Sequence, residues 1–84
     1  MLEIDLHGLR LYDALDQARK FIEDSYYNNA KSIKIIHGRG DGKLMMAVRH
    51  LLDELKTVNK LRLTWAESDL IYERGAVTLI KFND

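Results

Sequence analysis

The sequence of 84 residues predicts an α/β fold: a two-layer sandwich in the order β-α-β-α-β-β, with a four-stranded mixed sheet and two helices on one face. Three observations predict it. The apolar period switches twice from two, the period of a half-buried strand, to between three and four, that of an amphipathic helix. Each of the first two strand-like segments stops in glycine just before a helical pattern begins. The last two strand-like segments are separated by a loop short enough for a hairpin. With no proline, no low-complexity tract and no internal repeat, residues 1–84 read as a single domain without a linker.

Leu2, Glu3, Ile4, Asp5, Leu6 and His7 alternate apolar and polar, and Gly8 ends the run. From Leu11 the apolar positions are Leu11, Ala14, Leu15, Ala18, Ile22 and Tyr26, one stripe of a helix reaching about Tyr27. Its start has no Ser or Thr cap, although Asp13 in the first turn suits the helix dipole. Asn28 and Asn29 are natural terminators, because Asn tolerates the left-handed conformation. Residues 33–37 (Ile33, Lys34, Ile35, Ile36, His37) form a short apolar strand that runs into Gly38-Arg39-Gly40-Asp41-Gly42. A second helix places Leu44, Ala47, Val48, Leu51, Leu52 and Leu55 on one face. Residues 61–66 alternate again, and residues 76–82 form the last strand. Helical crossovers between the first three strands favour parallel neighbours with right-handed connections, and the polar alternation leaves the second sheet face open.

The bulk composition, 46% apolar and 31% charged, is that of an ordinary globular domain. No stretch approaches the run of about 20 apolar residues that a membrane-spanning helix needs. No basic-then-apolar leader follows Met1, and cysteine is absent, which removes disulfides and thiolate zinc sites; a cytoplasmic setting is expected. Thirteen basic residues balance thirteen acidic ones. That neutrality argues against tight sequence-independent nucleic-acid binding by the domain alone, since phosphate neutralisation supplies most of such affinity. Exposed strand edges leave a monomer or a weak homodimer as the expected states.

The chemistry-bearing segments are Ile4-Asp5-Leu6-His7-Gly8 and His37-Gly38-Arg39-Gly40-Asp41-Gly42-Lys43. Both lie at carboxyl ends of strands that feed helices, the edge where ligands bind in open α/β sheets. Asp5 and His7, two residues apart, share one side of their strand. The second helix would aim its first amides at the same edge, where they can hold a phosphate, with Arg39 and Lys43 adding positive charge. Phosphodiester cleavage needs a base, an acid and positive charge around phosphorus. His7 and His37 with an orienting Asp5 could meet the first two needs, and Arg39, Lys43 and the helix terminus the third. Alternatively, Asp5 and Asp41 could hold magnesium. The glycine segment is not a P-loop, since Leu44 stands where Ser or Thr is required. It is not a dinucleotide fingerprint either, since Lys43 occupies the third glycine position. A duller reading makes each strand-end His a polar cap and the glycines a plain connection. His50 reads as a helix-surface residue, and Phe21, Tyr26 and Trp65 as core; Tyr12 and Tyr72 fit the core less well and could stack a base.

Together these segments resemble the Smr (small MutS-related) domain, known as the C-terminal part of certain MutS-like proteins and as a stand-alone protein. Its first motif, Leu-Asp-Leu-His-Gly, reads here as Ile4-Asp5-Leu6-His7-Gly8, and its second, His/Thr-Gly-x-Gly, as His37-Gly38-Arg39-Gly40. Gly8-Leu9-Arg10-Leu11 and Asp13-Ala14-Leu15 also look like the family's entry into its first helix, and the likeness runs from Leu2 to Phe82. The resemblance implies the β-α-β-α-β-β sandwich of the C-terminal domain of bacterial translation initiation factor three. It also implies DNA-nicking or RNA-cleaving endonuclease activity, in DNA repair and recombination or in RNA and ribosome quality control. Candidate catalytic residues are Asp5, His7 and His37; candidate nucleic-acid-binding residues are Gly8, Arg10, Gly38, Arg39, Gly40, Lys43 and Arg74. One departure stands out: the glycine-rich loop that many members carry before the last strand is here Tyr72-Glu73-Arg74-Gly75, with Arg74 as a substitute phosphate contact. The competing expectation is a non-catalytic module that recognises branched DNA, structured RNA or a ribosomal surface.

Overall fold

The computed structural model describes residues 1–83. Its elements are β1 (Leu2–Asp5), α1 (Leu11–Tyr27), β2 (Ser32–Ile36), α2 (Lys43–Thr57), β3 (Leu63–Glu67), a single 3-10 turn (Ile71–Glu73) and β4 (Val77–Phe82). The expected order and both helices are present, with strand ends displaced by one or two residues. Asn28 closes α1 and Asn29 takes the left-handed conformation (φ 63°), as its short polar side chain allows.

The sheet runs β1-β2-β4-β3. β1 and β2 are parallel, while β4 lies antiparallel to both β2 and β3. The expectation of parallel neighbours therefore holds for β1 and β2 but not for β2 and β3, which β4 separates. Composition explains the insertion. β4 buries side chains from both its faces, Val77 and Thr78 in succession, as a central strand must. β3 buries only Leu63 and suits an edge.

The core is one layer. Ala14, Ala18 and Ile22 of α1 and Val48, Leu51, Leu52 and Leu55 of α2 cover Leu6, Ile33, Ile35, Leu63 and Ile80. Phe21 and Tyr26 pack against this cluster as expected. Trp65 does not: on edge strand β3 it remains 36% exposed, with the Arg49 guanidinium 4.7 Å from its ring centroid. The opposite sheet face is not left wholly open. Lys34, on the reverse side of β2 from Ile33 and Ile35, bonds Glu73 at 2.7 Å, so the loop before β4 folds back over it. Ser68 braces that loop, its hydroxyl donating to Glu73 (2.6 Å) and accepting from the Leu70 amide (3.2 Å).

Candidate active site at the carboxyl edge of the sheet

Because β1 and β2 are parallel, both motifs emerge at one edge, where β4 begins and β3 ends. The Leu6 amide extends the β1–β2 pairing by donating to the Ile36 carbonyl (2.7 Å), which carries His7 out beyond the sheet. Asp5 and His7 share the side of β1 away from the core, since Leu6 between them is fully buried. Their side chains meet. His7 Nδ1 lies 2.5 Å from Asp5 Oδ1, and the His7 amide donates to the same oxygen at 3.1 Å. An ionised carboxylate can only accept, so Nδ1 carries a proton, and in the neutral ring Nε2 keeps its lone pair. The His7 side chain is 69% exposed, so that lone pair faces solvent. The bonds from His7 hold the Asp5 carboxyl below its usual range, so the pair keeps an ionised orienting carboxylate.

His37 is placed differently. It is 4% exposed and continues the inward parity of Ile33 and Ile35. Its Nδ1 donates to the Gly38 carbonyl (3.0 Å), so its Nε2 accepts from the Thr78 hydroxyl (2.9 Å). Burial lowers its pKa, and the nearby Arg49 cation adds to the effect. The ring is neutral with both nitrogens occupied, and the structure does not bring it to the surface beside His7. Thr78 was not singled out from the sequence. The signal for it is a polar residue at the inward position of β4, in phase with Ile80 and Phe82.

The second motif is stitched to the last loop. The amides of His37 and Gly38 both donate to the Ala76 carbonyl, at 2.9 and 3.0 Å, so the Gly38 amide is not free for a ligand. Arg39, expected to meet phosphate, spends its guanidinium within the protein: Nε donates to the Arg74 carbonyl and Nη2 to the Tyr72 carbonyl, each at 2.9 Å. The start of α2 is also claimed, because Asp41 Oδ1 accepts from the Lys43 amide (3.0 Å) and Oδ2 lies 3.8 Å from Lys43 Nζ. A carboxylate of this chain thus sits where an anion was expected. Asp5 and Asp41 each have partners of their own, and among the described residues no three His, Asp or Glu side chains converge as a metal-ligand set. Gly8, Arg10, Gly40, Lys43 and Arg74 are all exposed, Lys43 with Asp41 beside its ammonium.

A family model described as the Smr domain matches residues 4–77, nearly the whole chain. The chain belongs to the Smr domain family. Endonuclease MutS2 of Borreliella burgdorferi is 46% identical over 57 residues, covering 68% of this Smr domain and 7% of that protein. Endonuclease MutS2 of Caldicellulosiruptor saccharolyticus is 32% identical over 85 residues, covering 99% of the domain and 10% of that protein. The domain thus spans a tenth or less of the length of these curated relatives. The crystal structure of the Smr domain of Thermus thermophilus MutS2 superposes with a TM-score of 0.86 over all of both chains at 24% identity, and so shares the fold. Among the described residues no helix is long and apolar enough to cross a membrane.

Proposed function

We propose that this Smr domain is an endonuclease that cleaves phosphodiester bonds in DNA or RNA with little sequence preference, His7 acting as general base and Asp5 as its orienting partner. The observation that carries the reading is the exposed imidazole whose Nδ1 is held by Asp5 at 2.5 Å, which leaves Nε2 aimed at solvent. Nε2 takes the proton from the attacking hydroxyl, of water or of a ribose, as its oxygen bonds to phosphorus. The ester P–O bond then breaks, and the departing oxygen regains a proton from the imidazolium or from solvent. Asp5 stays ionised and stabilises the imidazolium. Arg10, Lys43 and Arg74 are the exposed cations that meet the phosphate, with Gly8 and Gly40 letting backbone approach it. His37 supports the site from beneath by fixing the second motif to β4. The kinship with proteins named endonuclease MutS2 supports the same reading.

A second reading, a non-catalytic module for branched DNA, structured RNA or a ribosomal surface, is favoured by one observation. Arg39 and the start of α2 are both satisfied internally, which leaves few groups at the edge to stabilise a charged transition state. One experiment separates the two. Supercoiled plasmid and a structured RNA are incubated with wild type and with His7→Ala, with and without magnesium. Cleavage by the wild type that the variant lacks supports the enzyme; binding by both proteins without cleavage supports the module.

A further inference from the structure

We infer that the opposite end of the sheet carries a second nucleic-acid contact, a basic and aromatic cradle that takes one single strand; this rests on the nucleic-acid reading above. The cradle is a recess lined by Tyr26, Tyr27, Lys31, Arg62, Lys81 and Phe82, together with small and amide side chains. Among the described residues no carboxylate lines it.

Its three cations gather at one end of three adjacent strands, Lys31 just before β2, Arg62 just before β3 and Lys81 near the end of β4. The Phe82 amide donates to the Lys31 carbonyl (2.9 Å) and the Asn83 amide to the Arg62 carbonyl (2.8 Å), so Lys31 and Arg62 flank the end of β4, next to Lys81. Like charges on neighbouring strands repel, and nothing in the fold requires them there. Four cations elsewhere are paired, Arg19 with Glu54, Lys34 with Glu73, Lys43 with Asp41 and Arg49 with Glu67, while Arg10, Lys20, Lys56, Lys60 and Arg74 stand singly, in no ion pair among the described residues. Lys31, Arg62 and Lys81 are in no ion pair among the described residues. What sets Lys31, Arg62 and Lys81 apart is their grouping: among the described residues these three cations line one recess that no carboxylate lines.

The wall is aromatic. Tyr26 meets Tyr27 and Phe82 edge to face, with centroids 5.1 and 5.4 Å apart, and its hydroxyl accepts from the Arg62 amide at 3.4 Å. That packing holds Tyr27 in place while leaving it 69% exposed, an available face for a base. Helix α1 ends here, but its last carbonyls already accept from the Asn28, Asn29 and Ala30 amides, which reduces their repulsion of an anion. Cations beside a fixed, exposed ring are the arrangement that holds a single strand by phosphate and base together. From Lys31 to His37 the chain rises about 20 Å along β2, so a strand held here lies well clear of the His7 edge.

The test is fluorescence anisotropy with labelled single-stranded DNA and RNA 20-mers across a salt series, using wild type, the Lys31→Ala/Arg62→Ala pair and Tyr27→Ala. The paired variant should bind about tenfold or more weakly, with its salt slope reduced by about 1.4. Tyr27→Ala should weaken binding about tenfold with the slope unchanged. All three positions are exposed, so melting temperatures should match the wild type. Ultraviolet cross-linking of an iodouridine-substituted strand, read by mass spectrometry on the wild type, should mark Tyr27. Wild-type binding that the variants retain in full, with no Tyr27 cross-link, overturns the cradle and leaves the nucleic-acid reading intact. Failure of the wild type to bind either strand also overturns the cradle, whereas the nucleic-acid reading falls only if supercoiled plasmid and structured RNA are neither bound nor cleaved.

Discussion

Gly38 lies directly against His7: a Cβ placed on Gly38 would stand 3.1 Å from the His7 Cβ. The second motif is thus the seat of the first. Gly38 also adopts φ 79°, a backbone conformation that side chains disfavour. Gly38→Ala should therefore cost about 1 kcal/mol or more of stability and displace His7 from Asp5. Thermal melting checks the first effect. A cleavage rate that falls further than the loss of folded protein checks the second.

His7→Ala should lower the cleavage rate by about 10²- to 10⁴-fold, the usual contribution of a general base. Asp5→Asn keeps the shape but forfeits the charge that fixes the His7 tautomer, and should lose about 10²-fold or more. Both side chains are largely exposed, so neither change should move the melting temperature appreciably. A rate unaffected by His7→Ala would remove the dyad from the mechanism.

Stability should fall in two steps as pH is lowered. His37 is held neutral by burial, so the unfolded chain takes up its proton first. The contribution is complete above the ordinary histidine value and is lost as pH falls below about 6.5. Glu73 has a lowered carboxyl pKa from its bond to Lys34, so its contribution disappears only below about pH 4. His37→Asn should abolish the first step and retain the second. It should also cost about 1–3 kcal/mol at pH 8 if the Thr78 hydroxyl is left without a partner. Melting curves from pH 8 to pH 3 read both steps.

Arg39→Ala removes two bonds to the loop before β4. The expected result is faster amide exchange over residues 70–75, while the β2 and β4 amides keep their protection. Arg39→Lys should not restore protection, because an ammonium lacks the planar fork that reaches both carbonyls.

Much of this was legible in the sequence. Periodicity located both helices, and two glycine-ended strands joined by a crossover put Asp5, His7 and the second motif at one edge. The position of β4 was not legible, because strand order depends on which strand can bury both faces, and Val77 and Thr78 disclose that only once packed. The roles within the second motif were hidden for a related reason. Alternation alone puts His37 in phase with Ile33 and Ile35, yet the motif reads as surface because glycines follow it. The internal bonds of Arg39 are hidden because its partners are backbone carbonyls about 35 residues away, groups that every residue has and no side-chain pattern reveals. The loop over the second face has no sequence signature, because Lys34 and Glu73 each look like ordinary solvated charges until they are paired.

The stitching of the second motif to Ala76 has a temporal consequence. His7 comes from the first strand, its glycine seat from the middle of the chain, and the carbonyl that pins the seat from the segment leading into the last strand. Such long-range closure comes late in folding, because the loops must be drawn together before their contacts reward it. A nascent chain still lacking β4 would hold Asp5 and His7 on an edge strand with nothing fastening the turn beneath them. The site would then be assembled only once β4 has been made, so that a half-made chain would hold the dyad without its seat.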